Sequence, residues 1–142
     1  PKTPKPRDGA IKLNKYILQM EENNAEEDEN QFPSEEIDRL MTETAEEVLK
    51  EAMWDEKEVP HWVNRICEEG LEKLVKMQRP YKFVITCLMQ QKTGSVACHS
   101  SYSCFFENAT DGIVFVIYPP QQRKETATKT VGCLITVFST RF

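Results

Sequence analysis

The hydrophobic period of this chain changes once, at Arg79-Pro80. A chain that passes from a period of about 3.6 to a period of two must pack helices on a sheet. Ahead of the change, Ile37, Leu40, Met41, Ala45, Val48, Leu49 and Ala52 recur at spacings of three and four. That stripe predicts an amphipathic helix to about Met53, with Ser34 as its cap and Glu35 and Glu36 in the first turn, where the helix dipole favours acids. A second helix follows, with Asp55 and Glu58 spaced as in a capping box. Pro60 moves its regular start toward Lys57, and its expected buried side is Trp62, Val63, Ile66, Cys67, Leu71, Leu74 and Val75. Arg79-Pro80 ends it.

From Tyr81, YKFVITCLMQQ alternates and is rich in β-branched and aromatic residues, which predicts a strand. Thr93-Gly94 predicts a turn, and Val96 to Phe106 a second strand. Asp111-Gly112 reverses the chain into Ile113 to Tyr118, which Pro119-Pro120 stops. After the polar loop QQRKETATK, Thr130 to Thr140 forms the fourth strand. The expected fold is α+β, in the order ααββββ, with two N-terminal helices packed on one face of a four-stranded antiparallel sheet.

A length of 142 residues leaves room for one such core plus a tail. Residues 1–33 read as the tail and 34–142 as the domain. The net charge of -5 conceals a segregation: residues 1–20 carry five cations and one acid, 21–72 four cations and nineteen acids, and 73–142 nine cations and three acids. Within the tail, EENNAEEDENQ has a composition that holds no fold by itself, whereas IKLNKYILQM has apolar side chains enough to dock on a neighbour. The basic C-terminal part lacks a Lys/Arg stripe interleaved with aromatics, so nucleic acid is not an expected partner. No apolar run has the length of a membrane helix, and the start PKTPKPRDGA is no signal peptide, so the cytoplasm is the expected setting. Because the chain starts at Pro1 rather than Met, further residues are expected ahead of it. Five cysteines then read as reduced thiols, and the sequon at Asn108 serves a turn instead of carrying a glycan.

Little in the chain points to catalysis. Cys98, His99 and Cys104 are the candidate metal ligands, but in a strand His99 faces away from both cysteines, and the spacing lacks the paired knuckle of a structural zinc site. The same opposition defeats a Cys98-His99 nucleophile and base. Glu46-Glu47 and Glu68-Glu69 fall on exposed helix faces, and no glycine-rich phosphate loop is present. Neither an enzyme activity nor a cofactor or metal is expected. The unusual element is the second strand, SVACHSSYSCFF, which is small and polar for a core position. Two readings stand: an edge strand blunted against aggregation, or an edge that pairs with another chain. The second makes Val96, Cys98, His99, Ser100, Ser101, Tyr102, Ser103, Cys104, Phe105 and Phe106 the candidate site. Cys98, Ser100, Tyr102 and Cys104 share one face, while His99, Ser101, Ser103 and Phe105 share the other; which face meets a ligand stays open.

Taken in order, Trp62-Val63 in a helix, RPYKFVITCLMQQKTG, CFFENATDG and GCLITVFS resemble the Tctex-type dynein light chains, over about Glu36 to Phe142. The resemblance implies a strand-exchanged dimer, formed with a copy of itself or with another Tctex-type light chain, in which the second strand enters the partner's sheet. It also implies that an extended segment of a dynein intermediate chain adds beside that strand, as part of a non-catalytic subunit of the dynein complex on the cytoskeleton. A cargo or regulatory adaptor using the same groove is the alternative. The chain departs from the pattern in being about one residue longer between Gly94 and Cys104, a place for a bulge or register shift. It also departs at Phe106, where Trp is common, and in its acidic N-terminal extension. That extension points to an axonemal outer-arm dynein in a cilium or flagellum.

Overall fold

The computed structural model describes residues 32–92, 99–120 and 130–142. Within them the chain forms α1 (Ser34–Leu49), α2 (Val59–Lys76), β1 (Tyr81–Gln91), β2 (Gly112–Tyr118) and β3 (Val131–Arg141). The strands make one antiparallel sheet in the order β1-β3-β2.

The acids Glu35 and Glu36 stand in the first turn of α1 as the dipole argument requires, but Ser34 is not the cap. It is the first helical residue, and its N–H donates to the Phe32 carbonyl (2.8 Å). Pro33 precedes the helix and its carbonyl accepts from the Ile37 N–H (3.1 Å). The helix also stops at Leu49, short of Met53, which is exposed. Ile37, Met41, Ala45 and Leu49 are fully buried on its inner stripe. Thr44 shares their burial because its hydroxyl donates to the Leu40 carbonyl (2.7 Å), which removes the cost of a dry hydroxyl.

Before α2, Asp55 closes a turn: its Oδ1 accepts from the Lys57 N–H (3.0 Å) and its carbonyl from those of Glu58 (3.0 Å) and Val59 (3.1 Å). The helix therefore starts at Val59, later than the expected Lys57, and Pro60 falls in the first turn, where its missing N–H has no bond to lose. Lys73 and Lys76 occupy the last turn, the end at which the dipole favours cations. Ile66, Gly70 and Leu74 are its buried stripe. At Gly70 a Cβ would lie 2.6 Å from Met41 Cε, so the absent side chain sets how closely the two helices approach. Leu71 and Val75, expected on the buried side, are exposed instead; the apolar stripe is wider than the sheet beneath it.

The inner face of the sheet carries Val114, Val116, Val131, Cys133, Ile135 and Val137 in the core, with Phe83, Ile85, Cys87 and Met89 of β1 packed against it. The α1 helix packs mainly on β2 and α2 on β1. Each fully buried Ile, Leu or Met there contributes about 1.5–3 kcal/mol relative to exposure.

The two-helix, antiparallel α+β architecture is present, and three of the four expected strands form among the described residues. Of the remaining expected strand only residues 99–106 are described, and they carry no strand ladder, while Val96, Cys98 and the Thr93-Gly94 turn lie outside the described residues. The physical reason is its side chains. Serines and a histidine bury too little apolar surface on the chain's own sheet edge to offset the ordering of the backbone. The segments IKLNKYILQM, EENNAEEDENQ and QQRKETATK likewise lie outside the described residues.

Candidate partner-binding surface

Three strands of alternating residues leave a second, outward face. Register aligns it in rows: Val84, Phe138 and Ile113; Thr86, Thr136 and Phe115; Leu88, Leu134 and Ile117. These three rows hold no charged side chain, and Lys82, opposite Thr140, is the cation at the end of the same face. An uncovered sheet face in a chain of this size is usually polar, yet Val84 is 60% and Ile117 56% exposed.

Residues 99–106 run beside this face. The Tyr102 ring centroid lies 5.0 Å from that of Phe115 and 6.2 Å from that of Phe138 in an edge contact. Thr136, although it points outward, is only 7% exposed. Around Tyr102 a groove of about 430 Å³ is lined by Ser100, Ser101, Leu88, Phe115, Ile117 and Thr136 among others. A second hollow of about 300 Å³ shares Leu88, Ser100, Ile117 and Leu134 with it and reaches Lys92 and Pro119. The expected site residues thus separate. Tyr102 lies on the sheet and Phe106 is half-buried, whereas Phe105 is fully exposed, and His99, Ser100, Ser101, Ser103 and Cys104 are exposed too.

The end of the segment is held by Asp111. Its Oδ1 accepts from the Arg141 N–H (2.8 Å) at the end of β3, and its Oδ2 from the Glu107 N–H (3.1 Å). The turn closes with Thr110 and Asp111 N–H groups donating to the Glu107 carbonyl (3.1 and 2.8 Å). These bonds, first among them that from Arg141, hold the Asp111 carboxyl below its ordinary range.

A second accessible surface adjoins the first. In the order β1-β3-β2, one edge of β1 is unpaired along its eleven residues among the described residues. Above it, α2 is tied to α1 on one flank by the Lys73–Glu47 ion pair (2.6 Å). Leu71 and Val75 lie on the opposite flank, Val75 being 62% exposed. Their apolar, helix-periodic spacing was the available signal, and it read as core.

Chemistry of other kinds finds no centre. Among the described residues no group of three His, Cys, Asp or Glu side chains is placed to hold a metal. Of the carboxylate pairs on the helices, Glu69 is ion-paired with Arg65 (2.9 Å) and Glu47 with Lys73. Cys104 is exposed, while Cys133 is buried and Cys67 and Cys87 half-buried. Hydrogen bonding to Cys133 and burial push the Cys87 thiol above its ordinary range, and burial does the same to Cys67. These thiols are poor nucleophiles. No helix among the described residues is long and apolar enough to cross a membrane.

Residues 31–140 match the model of the Tctex-1 family, which covers both helices and all three strands. The chain belongs to the Tctex-1 family. This Tctex-1 chain is 32% identical over 108 residues to the "Dynein light chain Tctex-type" of Dictyostelium discoideum, covering 75% of this chain and 89% of the relative. It is 29% identical over 111 residues to the Drosophila melanogaster protein of that name, covering 78% and 92%. It is also 29% identical over 120 residues to human "Dynein light chain Tctex-type 3", covering 84% and 96%.

Proposed function

We propose that this Tctex-1 chain is a non-catalytic dynein light chain that assembles as a dimer and binds an extended segment of a dynein intermediate chain by strand addition. One observation carries the reading: the polar segment of residues 99–106 lies largely exposed and without a ladder among the described residues, beside a sheet face whose central rows are uncharged. Residues 96–106 number eleven, the length of β1, whose outer edge is free. Donated to the β1 edge of a partner, the segment gains a full ladder, and Phe105 leaves water. The two outward faces then cover one another, which removes Val84, Leu88 and Ile117 from solvent. The incoming intermediate-chain segment pairs beside the exchanged strand, its alternate side chains meeting Leu71 and Val75 of α2.

The partner subunit is a second copy or another Tctex-type light chain, and the assembly sits at the cytoskeleton within a dynein complex. Residues 1–33 form an extension to the light-chain domain of residues 34–142, and an axonemal outer arm is the finer setting it favours. Light scattering with and without an intermediate-chain peptide tests the reading. A particle of twice the 16.5 kDa chain mass, or one formed only with a related light chain, together with peptide binding, is expected. A lasting monomer that ignores both partner and peptide refutes it. A cargo peptide that displaces the intermediate-chain peptide assigns the groove to adaptor work as well.

A further inference from the structure

We propose that Tyr102 is a latch: in the free chain its ring holds residues 99–106 against the outward face of the chain's own sheet, and its release governs the rate of assembly; this rests on the assembly reading above. The segment lies over the sheet without pairing to it. Residues 99–106 carry no ladder among the described residues, and His99 to Phe105 are exposed. One aromatic contact places them. The Tyr102 ring centroid lies 5.0 Å from that of Phe115 on β2 and 6.2 Å, edge-on, from that of Phe138 on β3. Ser100 and Ser101 on either side of this contact border a groove of about 430 Å³ with Leu88, Phe115 and Thr136, so the flanking backbone is not packed down on the sheet. The other end of the segment has a fixed pivot, where Asp111 accepts from the Glu107 N–H (3.1 Å) and the Arg141 N–H (2.8 Å). Between pivot and ring, Ser103, Cys104 and Phe105 are exposed and Phe106 is half-buried. A segment fixed at a turn and held by one ring swings out when that ring lets go.

Two positions compete for the segment. On its own sheet, Tyr102 takes the half of the face made by β3 and β2, away from the free edge of β1. Strand exchange needs the same residues in the plane of a partner's sheet, along β1, and it needs Phe115 and Phe138 clear for the partner's face. One ring cannot serve both positions. The free chain therefore divides between a latched form, closed to the partner, and a released form that is competent to pair, and apparent association falls with the fraction released. The hold is weak, because Tyr102 is 57% exposed even when latched. An aromatic contact of this kind biases such an equilibrium by about three- to tenfold, which slows assembly without blocking it.

The test follows formation of the two-chain particle by stopped-flow light scattering for three full-length chains: unmodified, Tyr102→Ser and Tyr102→Phe. Each associates with a second copy or with a related light chain, whichever the unmodified chain accepts. Tyr102→Ser should associate about three- to tenfold faster than the unmodified chain, and Tyr102→Phe, which keeps the ring, at the unmodified rate. A Tyr102→Ser chain that associates no faster overturns the latch while the assembly reading stands. A gain shared equally by Tyr102→Phe overturns it too, since the ring would not then be the hold. In the dilute free chain, NMR cross-peaks between the Tyr102 and Phe115 rings are expected, and their absence would remove the contact on which the latch depends. If all three chains stay monomeric with either partner, the assembly reading fails and takes the latch with it.

Discussion

The ring of Phe32 occupies the space that a side chain at Gly112 would fill. It also meets Tyr81 edge-on, with ring centroids 5.9 Å apart. Phe32, two residues ahead of α1, is thereby packed over the first residue of β2. Gly112→Ala should destabilise the fold by about 1–3 kcal/mol, since the ring must be displaced. In a Phe32→Ala background the same substitution should cost markedly less, because the two residues compete for one volume. Urea denaturation of the four chains measures both numbers; equal costs in the two backgrounds would mean that Phe32 does not occupy that space.

Asp111 links the end of the candidate segment to β3, and its carboxyl is held low by backbone N–H donors. A group depressed in the folded state adds stability above its unfolded value, about pH 4. That contribution is lost as pH falls through the lower folded value. Asp111→Asn should therefore flatten the acid limb of the stability profile below about pH 4 and lower the melting temperature at neutral pH. NMR titration of the Asp111 carboxyl gives the direct check, and a midpoint at or above the ordinary aspartate value would contradict it.

Tyr81 Oη and Ser139 Oγ are buried and lack hydrogen-bond partners. Removing such a hydroxyl takes away a desolvation cost and no bond. Tyr81→Phe should be neutral or stabilising by up to about 1 kcal/mol, unlike the loss expected of most core substitutions. A destabilisation comparable to cavity formation would show that the hydroxyl is bonded in solution.

Leu71 and Val75 offer a test of the α2 flank. Leu71→Glu with Val75→Glu should change stability by no more than about 0.5 kcal/mol for each exposed site. Binding of an intermediate-chain peptide should weaken by at least about tenfold, since each carboxylate is desolvated against an apolar strand. Unchanged affinity would remove this flank from the binding surface.

Thiol chemistry should be confined to accessible positions. Among the described cysteines, alkylation near neutral pH should modify exposed Cys104 well before Cys87, whose hydrogen bond with Cys133 and burial raise its thiol pKa, or Cys133, which is buried from the reagent. Rapid selective labelling of Cys87 would contradict this order.

The strand β1 was legible to the residue, because YKFVITCLMQQ alternates against a single buried layer and any slip of one would turn every side chain over. Both helices were equally legible as elements, and their ends were not. Ser34 and Pro60 took places set by the hydrogen bonds of Pro33 and Asp55, which no periodicity encodes. The candidate segment was recognisable from its polarity, but its facing was open until Tyr102 met Phe115.

By itself, then, the sequence determined the elements, their order and the layer each belongs to, since local period and turn chemistry act over a few residues. Tertiary structure alone decided that Leu71 and Val75 stay exposed, that the central rows of the outward face are uncharged across three strands, and that residues 99–106 carry no ladder among the described residues. Each of those depends on the finite width of a sheet assembled from distant segments, a quantity no stretch of neighbouring residues contains.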